Sequence, residues 1–591
     1  MKSNPIIVRG LVVRALVLLF ACPVLAAAQV RDQPQPPVRD NAPPATGSAS
    51  IVGTTVTDTE PARPLRRAIV TVYSTDRTTT GKTAVTDDNG RFAVTGLPAG
   101  RYYVAASKRG WVRAAYGAKT PDQGGAPLTL TDGQRATISL RLLRGAVITG
   151  VILDDNGQSP TSTIVSAVRY SQLGGERRLV PAGSARSGTD ERGQYRIYEL
   201  APGDYYILVS PNGGGPFRSG SDLHLTSDVD VQEAMSAIQN APGSPIAEVP
   251  QRSVTVAPVF YPGVRNVAQA TQVTVRAGEE RSGVDFVMPY VASVRVEGTV
   301  SGLDGAPANN AMVTLVNTDR DTLSFGSDSM RSSRTDTKGR FSFTEIRPGS
   351  YVLSARSAAP AGWALVDLDV QGEDVRGMSL AMQEAFTISG TVRFEGTANA
   401  PPFTNVRVSL TPEPAALVIS SSSNIGGNST NADGRFTITG VTPGRYRLTA
   451  YVPGPRPTWV LRTSLLGGQE ALDTFIDVRQ EMADASVVFT DQLTELSGHA
   501  GPNSTVVLFS TNQTQWFQQS ARVRTARAAT DGSYTMPTIS PGEYFVAAVD
   551  DVQPGQWFDP AYLQGLTINS TKITIAEGEK KTLDIRTGGG G

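Results

Sequence analysis

Thr335-Asp336-Thr337-Lys338-Gly339-Arg340-Phe341, followed by Arg347-Pro348-Gly349-Ser350-Tyr351, carries the clearest structural instruction in the chain. An aspartate shortly before a glycine offers a side-chain acceptor to nearby amides, and the glycine tolerates positive φ, so the first half closes a turn. Phe341 and Phe343 then stand two apart, on one face of a strand. Pro348-Gly349 makes the next turn, and Tyr351 and Leu353 begin a second strand with the same alternation. Read locally, the unit predicts a β-hairpin.

The same instruction occurs five times. Thr86-Asp87-Asp88-Asn89-Gly90-Arg91-Phe92 leads to Pro98-Ala99-Gly100-Arg101-Tyr102, and Thr189-Asp190-Glu191-Arg192-Gly193-Gln194-Tyr195 leads to Ala201-Pro202-Gly203-Asp204-Tyr205. Asp433-Gly434-Arg435-Phe436 precedes Pro443-Gly444-Arg445-Tyr446, and Thr530-Asp531-Gly532-Ser533-Tyr534 precedes Pro541-Gly542-Glu543-Tyr544. The two glycines are always ten residues apart. Upstream of each copy a short strand carries its own glycine, at Gly53, Gly150, Gly298, Gly390 and Gly498. Alternating runs such as 138–142, 284–288 and 583–585 read as closing strands. Repetition on this scale is the signature of a modular array.

The repeats and their flanks predict an all-β chain, a tandem array of five Greek-key β-sandwich modules at 51–145, 146–292, 293–384, 385–493 and 494–591. Each unit is long enough to build one sandwich core. The second carries an insertion, 213–250, with one expected helix over 229–239.

Composition agrees. The 591 residues include 59 glycines and 39 prolines, and charged residues make up only 18%. This excludes a coiled coil or a highly charged disordered chain. Lys+Arg and Asp+Glu are equal at 54 each, so nothing supplies the basic excess that neutralises phosphates, and no nucleic-acid partner is expected.

Lys2, Arg9 and Arg14 precede an apolar run ending in Ala26, Ala27 and Ala28, the order of a secretory signal peptide over 1–28. A proline-rich linker, 29–50, follows. The run is too short for a membrane span and Pro23 interrupts it, so no transmembrane segment is expected in the mature chain. The single cysteine, Cys22, falls inside the signal, leaving a mature chain without disulfides. The expected location is periplasmic or extracellular, with a lipoprotein acylated at Cys22 as the rival.

The five repeats, with Gly-x-Val upstream, then Thr-Asp-x-x-Gly-x-Phe and Pro-Gly-x-Tyr, resemble the carboxypeptidase regulatory-like domain. The resemblance implies a transthyretin-like, carbohydrate-binding-like sandwich in each module. Its peptidase neighbours need metal-ligating histidines. The chain has two histidines in all, His224 and His499, at no metal-ligand spacing. No phosphate loop or nucleophile elbow appears. No enzyme activity, metal or cofactor is therefore expected.

Aromatic residues recur at one place in the repeat. Trp111, Trp363, Trp459 and Trp557 each follow their module's Pro-Gly glycine by 11–15 residues, Phe217 takes the comparable place in module two, and Tyr116 lies close by in module one. Rings in loops stack on sugar faces when exposed and pack when covered. The leading functional expectation is a binding protein for polysaccharide or cell-envelope glycan, with Trp111, Tyr116, Trp363, Trp459 and Trp557 as its ligand residues. The alternative is a structural or adhesive scaffold that binds envelope proteins. Exposure of those rings separates the two.

Overall fold

A computed structural model describes residues 47–586, apart from 76–80, 122, 161–162, 174, 212–222, 226–230, 233–234, 237–251, 319–329, 414–424 and 455–457. The expected signal peptide, most of the linker, Phe217 and most of the insertion lie outside the described residues. Of the expected helix over 229–239, Val231, Gln232, Met235 and Ser236 are described and are helical.

The chain is all-β, a tandem array of Greek-key β-sandwiches. Module one sets the plan. Its opening strand, Ala49–Thr57, lies in the middle of a three-stranded sheet, antiparallel to Arg91–Leu97 and parallel to the closing strand Arg135–Leu142. The opposing sheet pairs Ile69–Ser74 with Lys82–Val85 and Gly100–Ser107. Alternate residues of both sheets face inward, and Ile51, Val70, Phe92, Val104 and Leu140 close one core. Four further cores repeat this plan, around Ile148 and Tyr205, Val296 and Leu353, Ile388 and Leu448, and Leu496 and Tyr544. Burying each large apolar side chain contributes about 1.5–3 kcal/mol, so these cores hold the modules without disulfides.

The repeat unit is not a hairpin. Arg340–Ile346 pairs with the opening strand Val294–Ser301, whereas Gly349–Ala358 pairs with Met312–Asn317 in the other sheet. The Pro-Gly step is the corner where the chain crosses from sheet to sheet, and the same division holds in all five copies. Alternation places the apolar residues of both strands toward a common core, which a sandwich arch satisfies as well as a hairpin. A tyrosine fastens each corner by donating its hydroxyl to the carbonyl four residues earlier. The pairs are Tyr102 to Pro98, Tyr205 to Ala201, Tyr351 to Arg347, Tyr446 to Thr442 and Tyr544 to Ser540, at 2.6–3.0 Å.

Ahead of each corner the first strand is kinked by a residue at positive φ, Gly96, Glu199, Glu345, Gly440 or Thr538, with φ of 57–77°. It always lies four positions before the corner glycine. The turn that begins the unit is closed by Asp87, Asp190, Asp336 and Asn431, whose Oδ1 atoms each accept the backbone N–H groups two and four residues on. In module four the turn-closing residue is thus Asn431 and not Asp433.

Modules differ outside this frame. In module three, Ala361–Val370 extends the second sheet. In module four, Val460–Leu466 instead joins the first sheet beside the closing strand Met482–Thr490. Module five adds a seven-residue helix, Pro560–Leu566, capped by Asp559. It covers a satellite cluster that includes Phe509, Trp516 and Leu563.

Candidate ligand site and module junctions

The five candidate ring residues lie in four different modules, and the structure does not gather them into one platform. Trp459 is 3% exposed, donates Nε1–H to the Asn399 carbonyl at 3.2 Å and meets Phe394 edge-on at 5.0 Å. Its ring faces are closed to a ligand. Trp111 is half-buried against the first core, with the Arg144 guanidinium 5.4 Å above its ring. Its neighbour Gly110 donates its N–H to Glu199 of module two at 2.9 Å, so Trp111 belongs to the junction of modules one and two. Tyr116 packs half-buried on the first core, and its backbone is tied to Val104 and Ala126. Trp557 rests on the satellite cluster of module five, edge-on to Phe558.

Trp363 is placed differently. It stands on Ala361–Val370 directly opposite Arg356, and the two line a cleft of about 160 Å³ between modules three and four. Ser354 and Leu365 line it from module three, and Thr442, Pro443 and Tyr446 from the corner of module four. The Trp363 indole N–H is buried without an acceptor. Burial pushes the Arg356 guanidinium below its ordinary pKa, with the Tyr446 phenol acting in the opposite sense; arginine stays charged through such a shift. The Arg356 guanidinium makes no hydrogen bond or ion pair with any described residue. On the rim, Arg445 is paired with Glu413 at 2.8 Å.

Arginines also build the junctions, and sequence reading missed them. Arg447 lies between the inward-facing Tyr446 and Leu448, so alternation sends it to the outer face of its sheet. That face is covered by module five. Arg447 is 4% exposed, with its guanidinium 5.2 Å from the Phe475 ring and 4.8 Å from the Phe517 ring. Its Nη1 donates to the Leu472 and Gln519 carbonyls. Beside it, Asp473 accepts from Arg522 Nε at 2.5 Å. Across the array, Arg101 of module one donates to the carbonyls of Arg527 and Ser533 of module five, each at 3.2 Å. Gln123 donates to Asp551 at 3.2 Å. The first and last modules therefore touch, and the sandwiches do not form an open string. An arginine in an alternating strand, such as Arg447 or Arg101, is a weak sequence signal for these junctions.

Among the described residues, no helix is long and apolar enough to cross a membrane, and no group of three or more His, Cys, Asp or Glu side chains is placed to hold a metal.

Residues 50–143 and 295–383 match the family model of the carboxypeptidase regulatory-like domain. Residues 428–456 match domain II of polysaccharide lyase family 4. No curated protein matches in sequence. Among solved structures, a streptococcal ancillary pilin is 13% identical, covering 57% of this chain and 99% of its own, with a TM-score of 0.20. Two B repeat units of the collagen-binding protein of Staphylococcus aureus are 11% identical, covering 75% and 99%, with a TM-score of 0.12. A putative carbohydrate binding protein from Pseudomonas aeruginosa is 16% identical, covering 15% and 88%, with a TM-score of 0.13.

Proposed function

Two of the five modules, residues 50–143 and 295–383, match the carboxypeptidase regulatory-like domain, and we propose that the chain, built of repeats of that kind, acts at the cell envelope as a non-enzymatic binding scaffold. Its sandwiches are held in fixed relation, so that loops of different modules face protein partners together. One observation carries this reading: the Arg447 guanidinium is buried between rings of two successive modules. Modules that merely space surfaces apart sit on solvated linkers, whereas a buried cation between two rings contributes about 0.5–2 kcal/mol and fixes an angle. The packed state of Trp111, Trp459 and Trp557 points the same way. The positive residues and apolar run of 1–28 support export, to the periplasm or beyond.

Cross-linking of the full chain in intact cells, read by mass spectrometry, tests the proposal. A partner joined to loops of more than one module, and joined less when Arg447→Ala loosens the array, is the expected result. Cross-links confined to one module and indifferent to Arg447→Ala, or turnover of any substrate, would overturn it.

A second reading, carbohydrate binding, is favoured by a single observation, the open cleft beside Trp363.

A further inference from the structure

We propose that the cleft between modules three and four is a binding site for a carboxylate-bearing saccharide. This deepens the carbohydrate reading and rests on it; the scaffold reading stands or falls separately.

Arg356 and Trp363 are cross-strand neighbours lining the same cleft. The guanidinium has no hydrogen bond or ion pair among the described residues, although a half-buried cation gains by acquiring an acceptor. Glu413, next to the lining residue Pro412, is already held by Arg445. The site therefore offers an unanswered positive charge, and its occupant must bring the anion. An isolated inorganic anion would leave most of the lining unused. The walls are Trp363, Leu365, Pro412 and Pro443, and apolar ring faces of this kind accept the C–H face of a sugar ring. Thr442 lines the same cleft, and its hydroxyl, bonded to that of Tyr446 at 2.9 Å, has capacity for one more hydrogen bond with a ligand hydroxyl. A peptide is disfavoured by the sheet itself. Trp363 pairs with Arg356 on one side and Gln383 on the other, so an added strand cannot pair with the sheet at Trp363.

The test is isothermal titration of the full chain with a mannuronate tetramer, its carboxyl-reduced analogue and acetate. The tetramer is expected to bind, and to bind more weakly as salt is raised. The reduced analogue, and the tetramer against Arg356→Gln, should each bind at least about tenfold more weakly. Arg356→Lys should fall between, since it keeps the charge and loses the planar fork. Arg445→Gln should change affinity less than about twofold. Circular dichroism checks that each variant is folded. Trp363→Phe, a second probe, should abolish any ligand-induced change in tryptophan fluorescence that the parent chain gives. Equal binding of the neutral analogue, with the Trp363 signal intact, overturns the anionic assignment while leaving the carbohydrate reading in place. Binding of acetate or of an acidic peptide as tightly as the tetramer, or no binding at millimolar tetramer, overturns both.

Discussion

Gly298 and Phe341 face each other across neighbouring strands, and the phenyl ring occupies the place a side chain at Gly298 would need. A Cβ there would lie 2.8 Å from Phe341 Cζ and 2.5 Å from the Met378 carbonyl oxygen of the closing strand. Each module repeats the pair, as Gly53 with Phe92, Gly150 with Tyr195, Gly390 with Phe436 and Gly498 with Tyr534. Where the ring is tyrosine, its hydroxyl bonds the carbonyl lying over the glycine, Val284 for Tyr195 and Leu583 for Tyr534. The two separated halves of the repeat motif are therefore one contact.

This pair gives the first prediction. The fragment 293–384, which contains the whole core around Val296 and Leu353, is expected to fold alone with cooperative urea unfolding. In it, Gly298→Ala should cost about 2–4 kcal/mol, because backbone and not a flexible side chain blocks the new methyl. Phe341→Ala should cost about 3–5 kcal/mol. A Gly298→Ala cost below that of a typical surface change would show that the close approach is not what the repeat preserves.

The turn glycines are predicted to differ. Gly339 has φ 72°, and a Cβ on it would lie 2.5 Å from the Val300 carbonyl oxygen. At Gly349, φ is 155° and the nearest atom is Tyr351 Cε2 at 3.6 Å. Both glycines are at positive φ, so each change to alanine should cost on the order of 1–3 kcal/mol, with Gly339→Ala the costlier because its new methyl also meets backbone. Ser350→Ala, on an exposed side chain, should cost less than about 0.5 kcal/mol. Urea midpoints of the same fragment rank the three.

Acid should loosen the turn at Asp336. The Arg340 backbone N–H, then the Arg340 side chain, hold this carboxyl below its ordinary pKa. A depressed folded-state pKa means that the stabilisation is complete above the unfolded value, near 4, and is lost as pH falls through the lower folded value. Asp336→Asn keeps the acceptor oxygen, as Asn431 does naturally in module four, and should flatten the pH dependence of fragment 293–384 below about pH 4. Identical acid profiles for the parent and Asp336→Asn fragments would remove Asp336 from the account.

Breaking the junction of modules four and five should change shape before it changes the cores. Asp473 is 2% exposed in its pair with Arg522, and Asp473→Ala leaves that arginine without its carboxylate, a loss of about 3–5 kcal/mol when the pair is buried. Arg447→Ala removes the group between Phe475 and Phe517. Small-angle scattering is expected to report a larger radius of gyration for both variants, with strand content by circular dichroism unchanged. An unaltered radius would mean that these contacts do not hold the modules together.

The five turns, the alternation of Phe341 with Phe343 and the recurrence of a tyrosine after each Pro-Gly step were legible in the sequence, because each depends on residues within a dozen positions of one another. So was the all-β array, since a ten-residue unit repeated five times admits no other regular reading. The kink residues were hidden: Glu199, Glu345 and Thr538 adopt positive φ, which sequence assigns to glycine. The pairing of strands was hidden as well. Alternation fixes which face of a strand is apolar and says nothing about which neighbour receives its hydrogen bonds, so an arch between two sheets read as a hairpin. The fate of the aromatics had the same cause. Trp459 and Trp363 follow their corners by nearly equal distances, yet one is sealed by Phe394 within its own module and the other borders a cleft completed by the next. Arg447 and Arg356 are likewise arginines in alternating strands, and only the neighbouring module makes one a buried tie and leaves the other without a partner. Local sequence determines turns and faces because they depend on φ, side-chain volume and period; what covers an outer face depends on chain far away in sequence, and only the tertiary structure brings it there.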